Sequence, residues 1–199
     1  MAYTAKRTDG GQVLALTFHG TGGDESQFHD FAEQLLPGAS VVSPRGDVSE
    51  MGALRYFRRT GEGVYDMADL DRRTEAMAEF VAAEKARVGA TRTVGLGYAN
   101  GANILASVAF RHPGLVDNLV LLHPLIPWEP APQHGLAGRR VLISAGRRDP
   151  ICPAPLTERL AAWFEAQGAE VTLAWHPGGH EIAQTEVAAI QQFLAPLAA

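Results

Sequence analysis

Apolar residues gather in short runs along the chain, separated by longer amphipathic stretches. "VLALTF" (13–18), "SVVS" (40–43), "TVGL" (93–96), "LVLL" (119–122), "VLIS" (141–144) and "VTLAW" (171–175) are almost continuously apolar, as strands are when both sheet faces are covered. Between them, residues 25–36, Asp69 to about Val88, 101–112, 155–168 and 182–197 carry helical periodicity. Gly89 and Gly168 each follow a helical stretch, where a residue without Cβ takes the left-handed C-terminal conformation. The strand–helix alternation predicts an α/β fold with a mainly parallel central sheet flanked by helices, with room for a small antiparallel component at a terminus. No internal repeat or long linker interrupts it, so residues 1–199 are expected to form a single domain. The least regular piece, 44–68, is too long for a minimal connection and is a candidate specificity loop or small cap.

One strand-to-helix junction carries the outline of a catalytic loop. In "TVGLGYANGANI" a buried strand enters Gly97-Tyr98-Ala99-Asn100-Gly101 and a helix leaves it, the context of a nucleophile elbow. The centre, however, is Ala99, whose methyl group offers no nucleophile. Two downstream residues complete the pattern. Asp149 follows "VLIS" and His180 follows "VTLAW", so position 99, Asp149 and His180 run in the order nucleophile, acid, histidine, each just beyond a predicted strand. The carboxylate would orient the imidazole, whose other nitrogen would face position 99. Loops at the carboxyl ends of parallel strands converge on one cleft, which can unite three residues distant in sequence.

The first strong strand ends in His19-Gly20-Thr21-Gly22-Gly23. Such a loop can turn a backbone N–H inward as an oxyanion donor, with Thr21 the first choice and Gly22 the alternative. The backbone N–H of Asn100, just after the elbow centre, supplies the second donor. The loop lacks the terminal Gly-Lys-Ser/Thr of a P-loop, and "GLGYAN" is an incomplete dinucleotide signature. His176 and His180 are four apart, but Pro177, Gly178 and Gly179 preclude the helical face that would make them a metal pair.

Composition narrows the classes. The 199 residues carry 17 Lys and Arg against 22 Asp and Glu, a net charge of -5 that gives nucleic acid no broad basic attraction. No window reaches the length of a membrane span, and "MAYTAKRTDGG" lacks the apolar run of a secretory signal. The one cysteine, Cys152, cannot form an internal disulfide. A cytoplasmic protein is the expectation, with Cys152 a buried small hydrophobe and His123 a structural support.

Together, "FHGTGGDE", "PRG", "RYFRR", "GYANGANI", "LHPLIP", "GRRDPICP" and "PGGHEI" make the chain resemble the α/β-hydrolase superfamily. Within it, the chain looks like the small bacterial carboxylesterases of the phospholipase/carboxylesterase group, over nearly its whole length. The resemblance implies hydrolysis of small carboxylic esters through an acyl-enzyme, with no cofactor, and allows self-association as a homodimer. It places the nucleophile at position 99, the acid at Asp149 and the base at His180. Serine stands in the family where this chain has Ala99. Because the supporting residues all remain, the leading reading is an inactivated form in which alanine replaces the nucleophile and substrate binding is kept. A natural, non-catalytic small-molecule-binding module with the same fold is the alternative.

For the substrate pocket, "PRGDVSEMGALRYFRR" offers Met51, Leu54, Tyr56 and Phe57 as apolar lining, with Arg55, Arg58 and Arg59 either in structural salt bridges or meeting a substrate carboxylate. Leu125, Ile126 and Trp128, after a predicted strand, are further candidates for an acyl or aryl pocket.

Overall fold

The computed structural model describes residues 3–198. Its elements run β1 (Ala5–Thr8), β2 (Val13–Phe18), α1 (His29–Leu35), β3 (Ser40–Pro44), β4 (Val48–Glu50), β5 (Ala53–Arg55), β6 (Arg59–Gly61) and β7 (Val64–Tyr65), then α2 (Met67–Val88), β8 (Arg92–Tyr98) and α3 (Asn100–Arg111). The chain continues through β9 (Asn118–Leu122), β10 (Arg140–Gly146), α4 (Ala154–Ala166), β11 (Glu170–His176) and α5 (Gln184–Leu194). Seven strands form one sheet in the order β1-β3-β2-β8-β9-β10-β11. All its pairings are parallel except β1 with β3, the antiparallel component at the N-terminal edge.

The nearly continuous apolar strands divide their side chains between two cores. On β2, Leu14, Leu16 and Phe18 face α2, α3 and α4, while Ala15 faces α1 and α5; on β9, Leu119 and Leu121 oppose Val120 and Leu122 in the same way. Each face is therefore sealed by helices, which is why the period-two alternation of a half-exposed strand is missing. Gly89 adopts φ 63° at the end of α2 and Gly168 φ 87° just beyond α4, as their positions suggest.

All six predicted strands are present, all but the first extended by one to three residues. The first helix is shorter than the 25–36 predicted. Residues up to Phe28 form turns instead, because Asp24 accepts from the Ser26 N–H through its side chain and from the Gln27 N–H through its carbonyl. Local polar bonding of this kind competes with helix. Segment 44–68 folds as two small antiparallel hairpins, β4–β5 and β6–β7. Among the described residues, no helix is long and apolar enough to cross a membrane.

Candidate functional site

The β8–α3 junction is a tight elbow. Ala99 sits at φ 50° and ψ -112°, a region that L-residues rarely occupy. Its N–H donates to the Leu122 carbonyl at 2.8 Å and its carbonyl accepts from the Asn103 N–H at 3.0 Å, so both sides of the strained residue are pinned. Glycine is required at the two flanking positions by close approach. A Cβ on Gly97 would strike the Gly101 carbonyl, and one on Gly101 would strike the carbonyls of Phe18 and His19.

Asp149 lies beyond β10, with 6% of its surface exposed. Its Oδ1 accepts from the N–H groups of Ile151 (2.8 Å) and Cys152 (3.0 Å), the local turn that an Asp-Pro sequence suggests. Its Oδ2 meets His180 Nδ1 at 2.7 Å and His123 Nδ1 at 3.0 Å. Burial raises the carboxyl's pKa, but the hydrogen bonds from His123 and His180 prevail and hold it below the usual carboxylate value. His180 is anchored from the other side, its carbonyl accepting from Tyr98 Oη at 2.7 Å, and the two rings are in tilted contact. With Nδ1 engaged, Nε2 is the nitrogen left for chemistry.

A cavity of about 220 Å³ joins these parts, and its lining includes Thr21, Arg55, Ala99, Asn100, Leu125 and His180. Asn100 is the first residue of α3, so its N–H has no place in the helical ladder. Its side-chain Oδ1 accepts from the Tyr56 N–H at 2.7 Å, tying the elbow to the end of β5. Thr21 Oγ1 accepts from Arg55 Nη1 at 2.8 Å. Gly22 is excluded as the alternative oxyanion donor, because its N–H is spent on the Leu54 carbonyl at 3.1 Å. His19 stiffens this loop: burial lowers its pKa, Nδ1 donates to the Gly20 carbonyl and Nε2 accepts from the Gly46 N–H.

The cavity corrects most of the predicted lining. Met51 is fully exposed at the tip of the β4–β5 hairpin, paired with Gly52 in a positive-φ turn. Leu54 is partly buried and contributes its carbonyl to the Gly22 bond rather than a side chain to the cavity. Tyr56 and Phe57 are completely buried; Tyr56 Oη donates to the Pro44 carbonyl, and Phe57 packs edge-on against Tyr65. Ile126 and Trp128 face a separate groove of about 380 Å³ against Leu160 and Trp163 of α4. A pattern of apolar residues cannot distinguish these fates, since core, rim and cleft draw on the same side chains.

Of that set, Arg55, Arg59 and Leu125 reach the cavity with Ala99. Arg55 is 2% exposed, and burial lowers its pKa to about 10. Leu125 is held on both sides, its N–H donating to Asn103 Oδ1 and its carbonyl accepting from Tyr65 Oη. Sequence reasoning missed Tyr65, Tyr98, Asn103 and Ile151 in the lining, and it gave Cys152 no part there. Tyr98 had a signal, its place beside the elbow centre, and Tyr65 one in lying within 44–68; Asn103 had none beyond its polarity.

Two sets of residues bring possible metal-ligating atoms within 4.8 Å of one another: His123, Asp149 and His180, and His123, His176 and Glu186. Hydrogen bonds account for the first. In the second set the Gly178 N–H donates to His176 Nδ1 at 3.0 Å, and the buried His176 Nε2 approaches Glu186 Oε1 at 3.2 Å without forming a hydrogen bond.

The fold recurs in known proteins. The Atu2452 protein of Agrobacterium tumefaciens str. C58 is 53% identical, with 98% of this chain and 97% of that one covered and a TM-score of 0.93. The Bacillus cereus carboxylesterase is 36% identical, with 98% and 94% covered and a TM-score of 0.90. The MhqD protein of Bacillus subtilis (strain 168) is 36% identical over 175 residues, 87% of this chain and 88% of that one. The model of the dienelactone hydrolase family matches residues 54–190, the stretch that holds the elbow, Asp149 and His180. With that match over more than half its length, and with an α/β sheet shared with carboxylesterases, the chain belongs to the dienelactone hydrolase family.

Proposed function

We propose that this chain is a serine-carboxylesterase scaffold for small carboxylic esters in which alanine occupies the nucleophile position, so that it binds an ester without forming an acyl-enzyme. In this reading His180 is the base, Asp149 orients it, and the backbone N–H groups of Asn100 and Thr21 receive the carbonyl oxygen. Arg55 and Leu125 contact the substrate, and segment 44–68 is the wall that sets specificity. One observation carries the reading. Ala99 keeps a conformation that costs a non-glycine residue about 1–3 kcal/mol, in the same cavity as an imidazole already paired to a carboxylate. A pocket needed only for binding gains nothing from that strain, whereas an elbow that presents a side-chain oxygen requires it.

The test is Ala99→Ser. Hydrolysis of a panel of small aryl and short-chain esters should be negligible for the Ala99 chain and rise by several orders of magnitude with serine. It should fall again when His180 is replaced in the serine form. Soaking the Ala99 chain with an ester cleaved by the serine form should give an intact bound ester and no covalent adduct by mass spectrometry. If a folded Ala99→Ser protein hydrolyses nothing across the panel, the scaffold reading is abandoned in favour of a non-catalytic small-molecule-binding module.

A further inference from the structure

Beneath the Asp149–His180 pair lies a second layer of polar side chains cut off from solvent. His123 directly follows β9 with φ 51°, its side chain fully buried. Nδ1 faces Asp149 Oδ2 at 3.0 Å, and Nε2 faces the Glu186 carboxylate at 2.9 Å and 3.1 Å. Glu186, on α5 and equally buried, also accepts from the Ser144 hydroxyl and from the Ala183 N–H at 2.8 Å. The remaining groups around the His123 ring are His176 at the end of β11, His180, and Tyr98 at the end of β8. The Cys152 thiol donates to the His123 carbonyl.

The donor count fixes the state of this ring. An ionised carboxylate only accepts, and both imidazole nitrogens face one. A neutral ring would set a lone pair against an oxygen on one side, so both nitrogens carry protons. The positive φ, rare for a residue other than Gly or Asn, shows that the backbone is held in place to put the ring there. Burial opposes the charge on His123, but hydrogen bonds to Glu186 and Asp149 prevail and raise its pKa above the ordinary value. Glu186 goes the other way: burial raises it, and the bonds from His123 and Ser144 win and lower it.

We propose that His123 is a protonated positioning residue, clamped between Glu186 and Asp149, that orients Asp149 Oδ2 and limits its hold on the proton of His180. The inference rests on the reading of His180 as a base. A buried aspartate alone favours the imidazolium of its partner. A second imidazolium on the same oxygen offsets that field and weakens the hold of Asp149 on a His180 proton. Glu186 makes the offset permanent by stabilising the His123 charge from behind.

Glu186→Gln tests this, because its amide N–H donates to His123 Nε2 and its oxygen still accepts from Ala183, which leaves His123 neutral with Nδ1–H still on Asp149. In the Ala99 chain, imidazole ¹H–¹⁵N spectra should show His123 doubly protonated from pH 5 to 8, and Glu186→Gln should remove the Nε2 proton. The His180 protonation midpoint should then rise by about one pH unit. In the Ala99→Ser background the acid limb of kcat/KM should move up with it, so that the rate lost at low pH is about tenfold while the alkaline plateau changes little. A uniform loss at every pH would mark Glu186 as merely structural and overturn the proposal. So would a neutral His123 in the parent chain, or a His180 midpoint unmoved when the His123 charge goes. If Glu186→Gln fails to fold, His123→Asn combined with Glu186→Gln removes both charges with a residue that tolerates the positive φ, and the same midpoint is read. If Ala99→Ser has no esterase activity, the function proposed above fails while the spectra still decide this inference.

Discussion

Replacing Ala99 by glycine should stabilise the protein, the reverse of the usual effect of this substitution. At φ 50° and ψ -112° the alanine Cβ makes the backbone unfavourable, whereas glycine visits the mirror of the ordinary extended region freely. Relief of such strain is worth about 1–3 kcal/mol, against about 0.5–1 kcal/mol for the extra freedom glycine gives the unfolded chain. The balance is a net stabilisation of up to about 2.5 kcal/mol. For a chain of this size that corresponds to about 2–4 °C in Tm per kcal/mol. Urea unfolding measures it directly, with Ala76→Gly as control. Ala76 is a partly buried residue in the interior of α2, where glycine should cost about 1 kcal/mol. Opposite signs for the two substitutions are expected. Equal destabilisation by both would show that the elbow's conformation imposes no cost on its Cβ, and would remove the observation on which the catalytic reading of position 99 rests.

In the Ala99→Ser form, Asp149→Asn should lower kcat by about 10⁴ by fixing the wrong His180 tautomer, with KM little changed; equal activity would place the orienting acid elsewhere. Gly101→Ala should destabilise by about 2 kcal/mol or more, since the new Cβ meets the Phe18 carbonyl; a change within error in urea unfolding would refute the close packing of α3 on β2. Burial pushes the Cys152 thiol well above its ordinary pKa, so labelling by a thiol reagent at pH 8 should be slow in the native protein and fast in urea. Stability should also depend on pH from both sides. Asp149 and Glu186 are lowered on folding, so their contribution is full above the unfolded carboxylate values near 4 and is lost as pH falls through the folded ones. His123 is raised, so its contribution is full below about 6.5 and is lost as pH rises through its folded value. Urea titrations of the parent and of Glu186→Gln should show a shallower pH dependence at both ends in the variant.

Features of the candidate site that depend on local chain order were legible before any coordinates. The elbow announced itself through Gly97 and Gly101 between a strand and a helix, and Asp149 and His180 through their places just past the ends of β10 and β11. Parallel strands deliver their carboxyl-end loops to one edge of the sheet, so order along the chain becomes proximity in space. The lining of the cavity was not legible in the same way. Tyr56 and Met51 come from one segment and were given the same role, yet one is sealed under the His19 loop and the other is wholly exposed. Met51 is left at the tip of the β4–β5 hairpin, whereas Tyr56 is held down by hydrogen bonds to His19 and Asn100, partners that the segment does not contain.

His123 marks the boundary most clearly. From sequence it was a histidine before a proline, with a structural role as the ordinary expectation. Nothing in "LHPLIP" specifies that its two nitrogens meet Asp149 from one loop and Glu186 from a helix 63 residues further on. The hydrophobic pattern determined the strands, the helices and the layer order, because burial of apolar surface depends on periodicity that each segment carries within itself. The protonation state of a buried ring depends on which acceptors surround it, and only the packing of β9, β10 and α5 against one another brought those acceptors together.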